Sequence, residues 1–343
     1  MNTIEGASKR TSILNSILFL SPMRRFWRFL ARSYLTPKHL VMRIYYAPRF
    51  TRPIWFYIIN HKARLQYMKH SVTLNEVQER ASRELKQNGI CVIQFDELFK
   101  ESLEGYRKLA ESLVDTPENQ QRISKANKLI QTADPSSRGK YYLVEPWGDE
   151  ELVLDERLVQ FAISDEILAI VNSYMEVFCR VNYLRLWYNL PMGGPSISSQ
   201  NWHRDPEDRK IVKLFFLLRD VDETTGPFHF IKGSHCDGPY ATIFPKKPPY
   251  GCYPPTAELE KRFDTQIKTC TGLAGTIVIC DTSGLHKGGH ATQNARLLFN
   301  AVYTSDATSE LEEGKIRWGT LDEGHASLSP MARYAVGLPT SQM

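Results

Sequence analysis

The sequence Trp202-His203-Arg204-Asp205 lies inside the part of the chain that is richest in predicted strands. On a strand, residues two apart point to the same face, so His203 and Asp205 would present an imidazole and a carboxylate side by side. Together with a second histidine, they would form a 2-His-1-carboxylate set, which binds Fe(II) and leaves three coordination positions open. The stretch therefore predicts a metal site within a β domain.

Short β-rich segments surround this stretch and alternate with clusters of Gly, Pro and Asp. Several short strands divided by such turns favour an antiparallel sandwich or barrel over a parallel sheet. The pattern therefore predicts a mainly β fold. The predicted strands are 181–190, 211–221, 228–231, 275–281 and 295–304.

Helical patterns come before the β region. Thr73 and Glu76 have the spacing of a capping box, and the apolar residues after them predict a helix over 74–88 that Gly89 ends. We therefore expect helices to flank the β core. The other predicted elements of this part are a buried strand at 90–93, a helix through 98–113, a long loop over 120–150 and a helix over 164–178.

A second His-x-Asp copy, His235-Cys236-Asp237, shows that this pattern is weakly specific when taken alone. The copy lies in a glycine-bounded turn, where strand alternation does not fix the directions of the side chains. The first copy is therefore the preferred candidate. Downstream of both, the predicted strand 275–281 ends in a turn that reaches His286.

Arg296 begins the strongly apolar strand that follows, ten residues after His286. A guanidinium buried in such a strand needs a partner, because an unpaired buried charge is very costly. A dicarboxylate held by the planar, bidentate fork of arginine would provide one. The strand therefore indicates a dicarboxylate ligand close to its first residue.

Taken in order, these motifs resemble the phytanoyl-CoA dioxygenase-like Fe(II)/2-oxoglutarate oxygenases. The resemblance runs from about residue 75 to about residue 305, and the ordered set is more specific than any of its parts. It is carried by Trp202-His203-Arg204-Asp205, by Gly226-Pro227-Phe228-His229-Phe230-Ile231-Lys232-Gly233-Ser234-His235, and by His286 with Arg296.

The resemblance implies a double-stranded β-helix, or jelly roll, with helices packed against one sheet. It implies that His203, Asp205 and His286 hold Fe(II). It also implies that Arg296 binds the distal carboxylate of 2-oxoglutarate and that Asn189 contacts this co-substrate. Because the Asp205 carboxylate is retained, the implied reaction consumes O2, releases succinate and CO2, and hydroxylates an unactivated C–H bond or carries out a related oxidation such as desaturation.

The chain departs from the family's pattern at Gly288, where the family often has a small hydroxyl residue. One hydrogen bond to the co-substrate is therefore not expected from this position. His290 is a rival to His286 as the second histidine ligand, but it lies only six residues before Arg296, too close for the usual spacing.

Two other functions remain open for the same fold. A jelly-roll protein could act as a sensor or binding module without turnover, and a cupin-like metalloenzyme could work without 2-oxoglutarate. The three ligand residues together with Arg296 favour the oxygenase. The expected substrate is a small-molecule or lipid-like compound, and Arg185, Arg204 and Lys213 are candidates for binding an anionic one.

The charges are unevenly distributed along the chain. Residues 1–70 contain 13 Lys and Arg and a single acid, Glu5, and residues 21–35 fit a basic amphipathic helix with aromatic residues. Such a helix can lie in a membrane interface, pack its apolar face on the main domain, or belong to a targeting segment. Nucleic-acid binding is not expected, since no recognition motif accompanies the charge.

The predicted organisation is a basic N-terminal segment (1–70), an oxygenase domain (71–310) and a C-terminal extension (311–343). The six cysteines never form a C-x-x-C pair, which indicates free thiols and a reducing compartment. No apolar run approaches the roughly 20 residues of a transmembrane helix. We therefore expect a cytoplasmic protein, with peripheral membrane association through 21–35 as the alternative.

Overall fold

The computed structural model describes residues 51–70, 72–132, 140–147, 157–245, 253–309 and 328–340. The predicted helix at 21–35 and most of the predicted C-terminal extension lie outside the described residues. In the described part, no helix has the length and apolar character needed to cross a membrane.

Antiparallel strands form the centre of the fold. They are β1 (Ile90–Gln94), β2 (Leu143–Val144), β3 (Arg180–Asn189), β4 (Val212–Leu217), β5 (Phe228–Ile231), β6 (Ile267–Cys270), β7 (Thr276–Asp281), β8 (His286–Lys287) and β9 (Arg296–Thr304). The larger sheet has the order β1-β7-β4-β9-β3-β2, and the smaller sheet has the order β6-β5-β8. Two antiparallel sheets with this crossed strand order form the jelly roll, so the expected fold class is confirmed.

All but one of the helices pack against one face of the larger sheet, whereas the helix Thr256–Phe263 packs its Leu259 and Phe263 with Ile231 of the smaller sheet. The helices are α1 (His61–Lys69), α2 (Glu76–Asn88), α3 (Phe95–Leu98), α4 (Glu104–Val114), α5 (Pro117–Thr132), α6 (Arg157–Ala162), α7 (Asp165–Met175), α8 (Thr256–Phe263) and α9 (Pro330–Ala335), and a π-helix covers Ile54–Ile59. Alternate residues of β4, such as Leu214 and Phe216, join the core with these helices. Phe215 and Leu217 point the opposite way, toward the smaller sheet, because successive strand residues face opposite sides.

The predicted capping box at Thr73 and Glu76 is wrong by two residues. Asn75 is the N-cap of α2, and its side chain accepts a hydrogen bond from Gln78 N at 2.9 Å. The Gln78 side chain in turn accepts from Asn75 N at 3.0 Å. Asn is at least as good an N-cap as Thr. The sequence therefore offered both Thr73 and Asn75 as the N-cap, and the prediction took Thr73.

Gly89 ends α2 as predicted, with a φ of 78° that other residues rarely adopt. A Cβ at this position would lie 2.6 Å from the ring of His235. Glycine is therefore required both by the backbone conformation and by the close approach of the second His-x-Asp copy.

The predicted loop over 120–150 is wrong for residues 120–132, which belong to α5. Pro117 begins this helix, where its missing N–H would have had no helical partner. The buried residues Ile123, Ala126 and Ile130 recur at helical spacing and form the face that packs on the core. The sequence analysis did not recognise this narrow apolar face, because many polar residues separate its members.

Residues 51–70 pack against the β domain, although the sequence analysis groups them with the basic N-terminal segment. The buried indole of Trp55 donates to Asp208 Oδ1 at 2.7 Å, three residues after Asp205. The Asn60 amide donates to Ser305 Oγ at 3.0 Å. Asp208 Oδ2 in turn accepts from Ser305 N and Oγ at 2.7 Å, so both contacts attach the segment to one end of the larger sheet, where β4 begins and β9 ends.

Candidate metal centre

His203, Asp205 and His286 meet at one place between the two sheets. Backbone pairing brings them together, because His203 N donates to His286 O at 2.9 Å and His286 N donates to His203 O at 3.0 Å. Asp205 N donates to Thr282 O at 2.9 Å. Within the described part of the chain, these three residues form the one group of His, Cys, Asp or Glu side chains that could hold a metal ion.

Both imidazoles are oriented by backbone carbonyls. The Nδ1 atom of His203 lies 2.8 Å from Asn201 O, and the Nδ1 atom of His286 lies 3.0 Å from Gly284 O. A carbonyl oxygen only accepts, so each Nδ1 carries the proton and each Nε2 carries a lone pair. The Nε2 atoms lie 3.8 Å and 3.5 Å from the two carboxylate oxygens of Asp205.

The charges at the site favour the metal-binding forms of these residues. Burial, assisted by the neighbouring His203, holds the pKa of His286 well below its ordinary value, so its imidazole is neutral at neutral pH. Burial would raise the pKa of Asp205, but the nearby Lys213 ammonium holds it below its ordinary value. The neutral imidazole of His286 thus faces an ionised carboxylate.

Glu260 on α8 ties together the chain neighbours of both histidines. Its Oε1 accepts from the indole of Trp202 at 3.0 Å and from the ammonium of Lys287 at 2.8 Å. Trp202 precedes His203, and Lys287 follows His286. One carboxylate therefore restrains the two backbone segments that carry the imidazoles.

A cavity extends from the three residues into the space between the sheets. Its walls are mainly apolar, and Arg296 lies among them. The residues that line it are Trp187, Ser199, His203, Lys213, Phe215, Leu217, Phe228, Cys270, Val278, His286, Gly288, Arg296 and Leu298.

The guanidinium of Arg296 is buried without a full set of partners. One Nη atom donates to Gly226 O, and Nε has no hydrogen-bond partner among the described residues. Burial lowers the pKa of Arg296 to about 10, which still leaves the group charged at neutral pH. A buried cation with an unused donor facing a cavity fits an anionic ligand.

Asn189 lies directly opposite Arg296 in the register of β3 and β9. Its side chain is buried, and its Oδ1 has no hydrogen-bond partner within the described ranges. The structure therefore brings Asn189 to the same end of the cavity as Arg296, although Asn189 is not among the lining residues.

The rival candidates lie elsewhere. His235 packs with its Nε2 3.3 Å from Lys86 O, and Asp237 pairs with Arg209 and, at 3.4 Å, with Lys210. His290 places its Nε2 2.7 Å from Met192 O, away from the three residues.

The charged residues that the sequence analysis considered for anionic substrates have different partners. The buried guanidinium of Arg204 donates to backbone carbonyls, which makes it a structural group that joins several loops, and Arg185 pairs with Glu145 at 3.3 Å. Lys213, by contrast, pairs with Asp205 inside the cavity. The carbonyls that accept from Arg204 belong to Ser234, Tyr240, Ile243, Phe244 and Ser283.

The sequence analysis missed Ser199, which lines the cavity beside Gly288. Gly288 N donates to Ser199 O at 2.7 Å, and a Cβ at residue 288 would approach the same oxygen to 3.2 Å. The Ser199 hydroxyl lies 3.3 Å from that of Tyr142. A hydroxyl from another part of the chain therefore stands next to the position where the family often has one. No local motif marks Ser199.

The family model described as phytanoyl-CoA dioxygenase (PhyH) matches residues 85–297, a range that contains the metal candidates and Arg296. The chain belongs to the phytanoyl-CoA dioxygenase family. No curated protein matches it.

Several solved structures are similar to this phytanoyl-CoA dioxygenase family member. EctD from S. alaskensis with bound Fe is 18% identical, with a TM-score of 0.44 over 69% of this chain and 80% of that chain. The carbocyclase SnoK from nogalamycin biosynthesis is 15% identical, with a TM-score of 0.45 over 79% and 95%. HygX from Streptomyces hygroscopicus, with nickel and 2-oxoglutarate bound, is 15% identical, with a TM-score of 0.41 over 68% and 88%.

Proposed function

We propose that this protein is an Fe(II)- and 2-oxoglutarate-dependent dioxygenase. It hydroxylates an unactivated C–H bond of a small-molecule or lipid-like substrate and releases succinate and CO2. The observation that carries the proposal is the convergence of two imidazoles, one carboxylate and one buried guanidinium on a single apolar cavity. Family membership supports the same reaction class.

The donor set fits ferrous iron. His203 and His286 would bind through Nε2, which their Nδ1 hydrogen bonds leave as the lone-pair atoms, and Asp205 would bind through a carboxylate oxygen. Fe(II), with 2-oxoglutarate and O2, supplies the oxidising chemistry. The protein supplies the ligand geometry and a cavity whose apolar walls exclude water.

The far end of the cavity fits the distal carboxylate of 2-oxoglutarate. Arg296 would donate from Nε and the guanidinium fork, which satisfies the donor that has no partner among the described residues. Asn189, opposite Arg296 in the strand register, would orient the same end of the co-substrate. Ser199 would supply the hydroxyl hydrogen bond that Gly288 does not offer.

The Asp205 carboxylate supports hydroxylation over halogenation. A site without this carboxylate would have a free coordination position for a halide ion, whereas a site that keeps it would not.

A screen for succinate release across metabolites and lipids tests the proposal. We expect release that depends on Fe(II), 2-oxoglutarate and one class of acceptor, and that disappears in Asp205→Ala. A sensor without turnover would bind both cofactors and release no succinate with any acceptor. A cupin-like enzyme independent of 2-oxoglutarate would keep its activity in Arg296→Ala.

A lipid-like substrate would require contact with a membrane surface, and two features support it. The predicted amphipathic helix at 21–35 lies outside the described residues, but residues 51–70 contain four basic residues and no acid. The large apolar side chains that this described segment exposes are Tyr57, Ile58, Leu65 and Met68. A basic surface with exposed apolar groups suits an anionic lipid headgroup region. The described cysteines are free thiols, which supports a cytoplasmic location.

Sedimentation with phosphatidylserine vesicles tests this contact. We expect the full chain to sediment with the vesicles, and the double variant Ile58→Glu, Met68→Glu to sediment less. Leu273→Glu is the matched control, because Leu273 is the most exposed large apolar side chain of the described residues and lies outside the segment. Equal sedimentation of all three proteins with and without vesicles would remove the membrane proposal.

A further inference from the structure

Lys213 lies on β4 with its side chain inside the cavity, at the end away from Arg296. β9 places Val302 opposite Lys213, and Arg296 lies six residues earlier on the same strand, about 20 Å along the sheet. The two cations therefore approach the three candidate ligands from different ends. Unlike Arg296, Lys213 directly contacts one of the three candidate ligands.

The ammonium of Lys213 contacts the carboxylate of Asp205. Its Nζ lies 2.7 Å from Asp205 Oδ2, and the Lys213 side chain is only 14% exposed. The hydroxyl of Tyr183 on β3 is a second polar neighbour of Lys213. A close ion pair with a buried ammonium restrains the orientation of a carboxylate.

We propose that Lys213 is a positioning residue that keeps one oxygen of Asp205 engaged, so that the carboxylate gives only its other oxygen to Fe(II). The inference rests on the proposed function. A carboxylate that used both oxygens would occupy a coordination position that 2-oxoglutarate and O2 need, because a 2-His-1-carboxylate set leaves only three. Lys213 thus keeps three coordination positions of the metal available to 2-oxoglutarate and O2.

The charge of Lys213 adds an effect in the same direction. An ammonium close to the site repels a divalent cation and attracts a dianion such as 2-oxoglutarate. Removal of the ammonium should therefore leave metal binding unchanged or tighter, while 2-oxoglutarate binding becomes weaker. A lysine that served only the fold would not separate the two affinities in this way.

The test compares Lys213→Met with the wild type, using Mn(II) in place of Fe(II) so that oxygen causes no turnover. Electron paramagnetic resonance gives the Mn(II) affinity, and calorimetry gives the affinity of the Mn(II) protein for 2-oxoglutarate. We expect Mn(II) to bind Lys213→Met at least as tightly as wild type. We expect 2-oxoglutarate to bind about 10-fold more weakly, the usual size of an effect from a residue that supports a metal ligand. Lys213→Arg, which keeps a cationic donor, should recover most of this loss.

Two controls separate positioning from a general effect. Tyr183→Phe keeps the ammonium and removes its second partner, so we expect a smaller loss of 2-oxoglutarate affinity. Lys210→Met removes another buried lysine, one that contacts Tyr174 O and Asp237 away from the cavity, and should change neither affinity. If Lys213→Met does not fold, Lys213→Ala, which also removes the ammonium and offers no donor, is measured instead.

The outcomes distinguish this inference from the proposed function. Wild-type protein that binds neither Mn(II) nor 2-oxoglutarate would overturn both. Wild-type protein that binds both, with unchanged affinities in Lys213→Met or Lys213→Ala, would overturn the inference alone. Loss of Mn(II) binding in the folded Lys213 variants would also overturn it, since Lys213 would then support the metal itself.

Discussion

The chain contains two His-x-Asp copies, which lie in different structural settings. In the first copy, backbone hydrogen bonds join His203 to His286 in both directions, and both side chains face the cavity. In the second, His235 O accepts from Gly238 N in a tight turn, and the two side chains separate. The same three-residue pattern therefore yields a candidate metal site only where a neighbouring strand fixes the backbone.

The middle residue of each copy shows the same contrast. Arg204 donates to carbonyls of three loop regions and holds the first copy in place from the face opposite the cavity. Cys236 contributes its backbone N–H to Ser283 Oγ at 3.1 Å. In the first copy, the Arg204 side chain and the backbone pairing with His286 both restrain the chain. A metal site needs such restraint to keep its ligand geometry fixed.

The largest expected difference between the copies is in metal binding. Asp205→Ala should weaken Mn(II) binding by well over 100-fold, because changes that only affect the support of a ligand already cost about 10–100-fold. Asp237→Ala should leave Mn(II) binding unchanged, since its ion pairs with Arg209 and Lys210 lie outside the cavity. Calorimetric Mn(II) titrations of the two variants check this, and equal losses would show that the copies are not functionally distinct.

The next effect concerns the co-substrate end of the cavity. Arg296→Met should reduce 2-oxoglutarate affinity by about 100-fold, the equivalent of about 3 kcal/mol for hydrogen bonds to a charged group. Mn(II) binding should be retained, because Arg296 does not contact the three candidate ligands. Calorimetry with the Mn(II) protein measures both affinities. Unchanged 2-oxoglutarate affinity would contradict the assigned role and favour a cupin-like function.

A smaller effect should come from the carboxylate that ties the two histidine segments together. Glu260→Gln weakens its bonds to Trp202 and Lys287 and should lower Mn(II) affinity by about 10-fold. Glu258→Gln on the exposed side of the same helix is the matched control and should have no effect. If the two variants bind Mn(II) equally, Glu260 does not support the site.

The smallest predicted effect tests whether Ser199 replaces the hydroxyl absent at Gly288. Ser199→Ala should weaken 2-oxoglutarate binding about 5-fold, as expected for one hydrogen bond worth about 1 kcal/mol. Ser196→Ala, whose hydroxyl lies 3.3 Å from the ring of His290, should leave the affinity unchanged. An unchanged affinity in Ser199→Ala would show that the hydroxyl serves only the loop.

Much of the fold could be predicted from the sequence because its signals are local. Gly89 marks the end of α2 directly, and the apolar runs of β7 and β9 are continuous because both faces of these strands are buried. The start of α2 and the helix α5 were predicted wrongly. In both cases the local signal was ambiguous, and packing against the rest of the chain decided the outcome.

The candidate site could also be predicted only in part. The sequence analysis named His203, Asp205, His286 and Arg296, and the structure places all of them at one cavity. It could not identify the roles of Lys213 and Ser199, because their contacts join segments that are far apart along the chain. Such contacts depend on strand register and loop path, which short patterns do not encode.

The central claim is that His203, Asp205 and His286 bind Fe(II) while Arg296 binds 2-oxoglutarate at the same cavity. Anaerobic addition of Fe(II) and 2-oxoglutarate, followed by visible absorption, tests it most directly. We predict a metal-to-ligand charge-transfer band in the wild type and in Asp237→Ala, and no band in His203→Ala. Absence of the band from wild-type protein, or its persistence in His203→Ala, would contradict the claim.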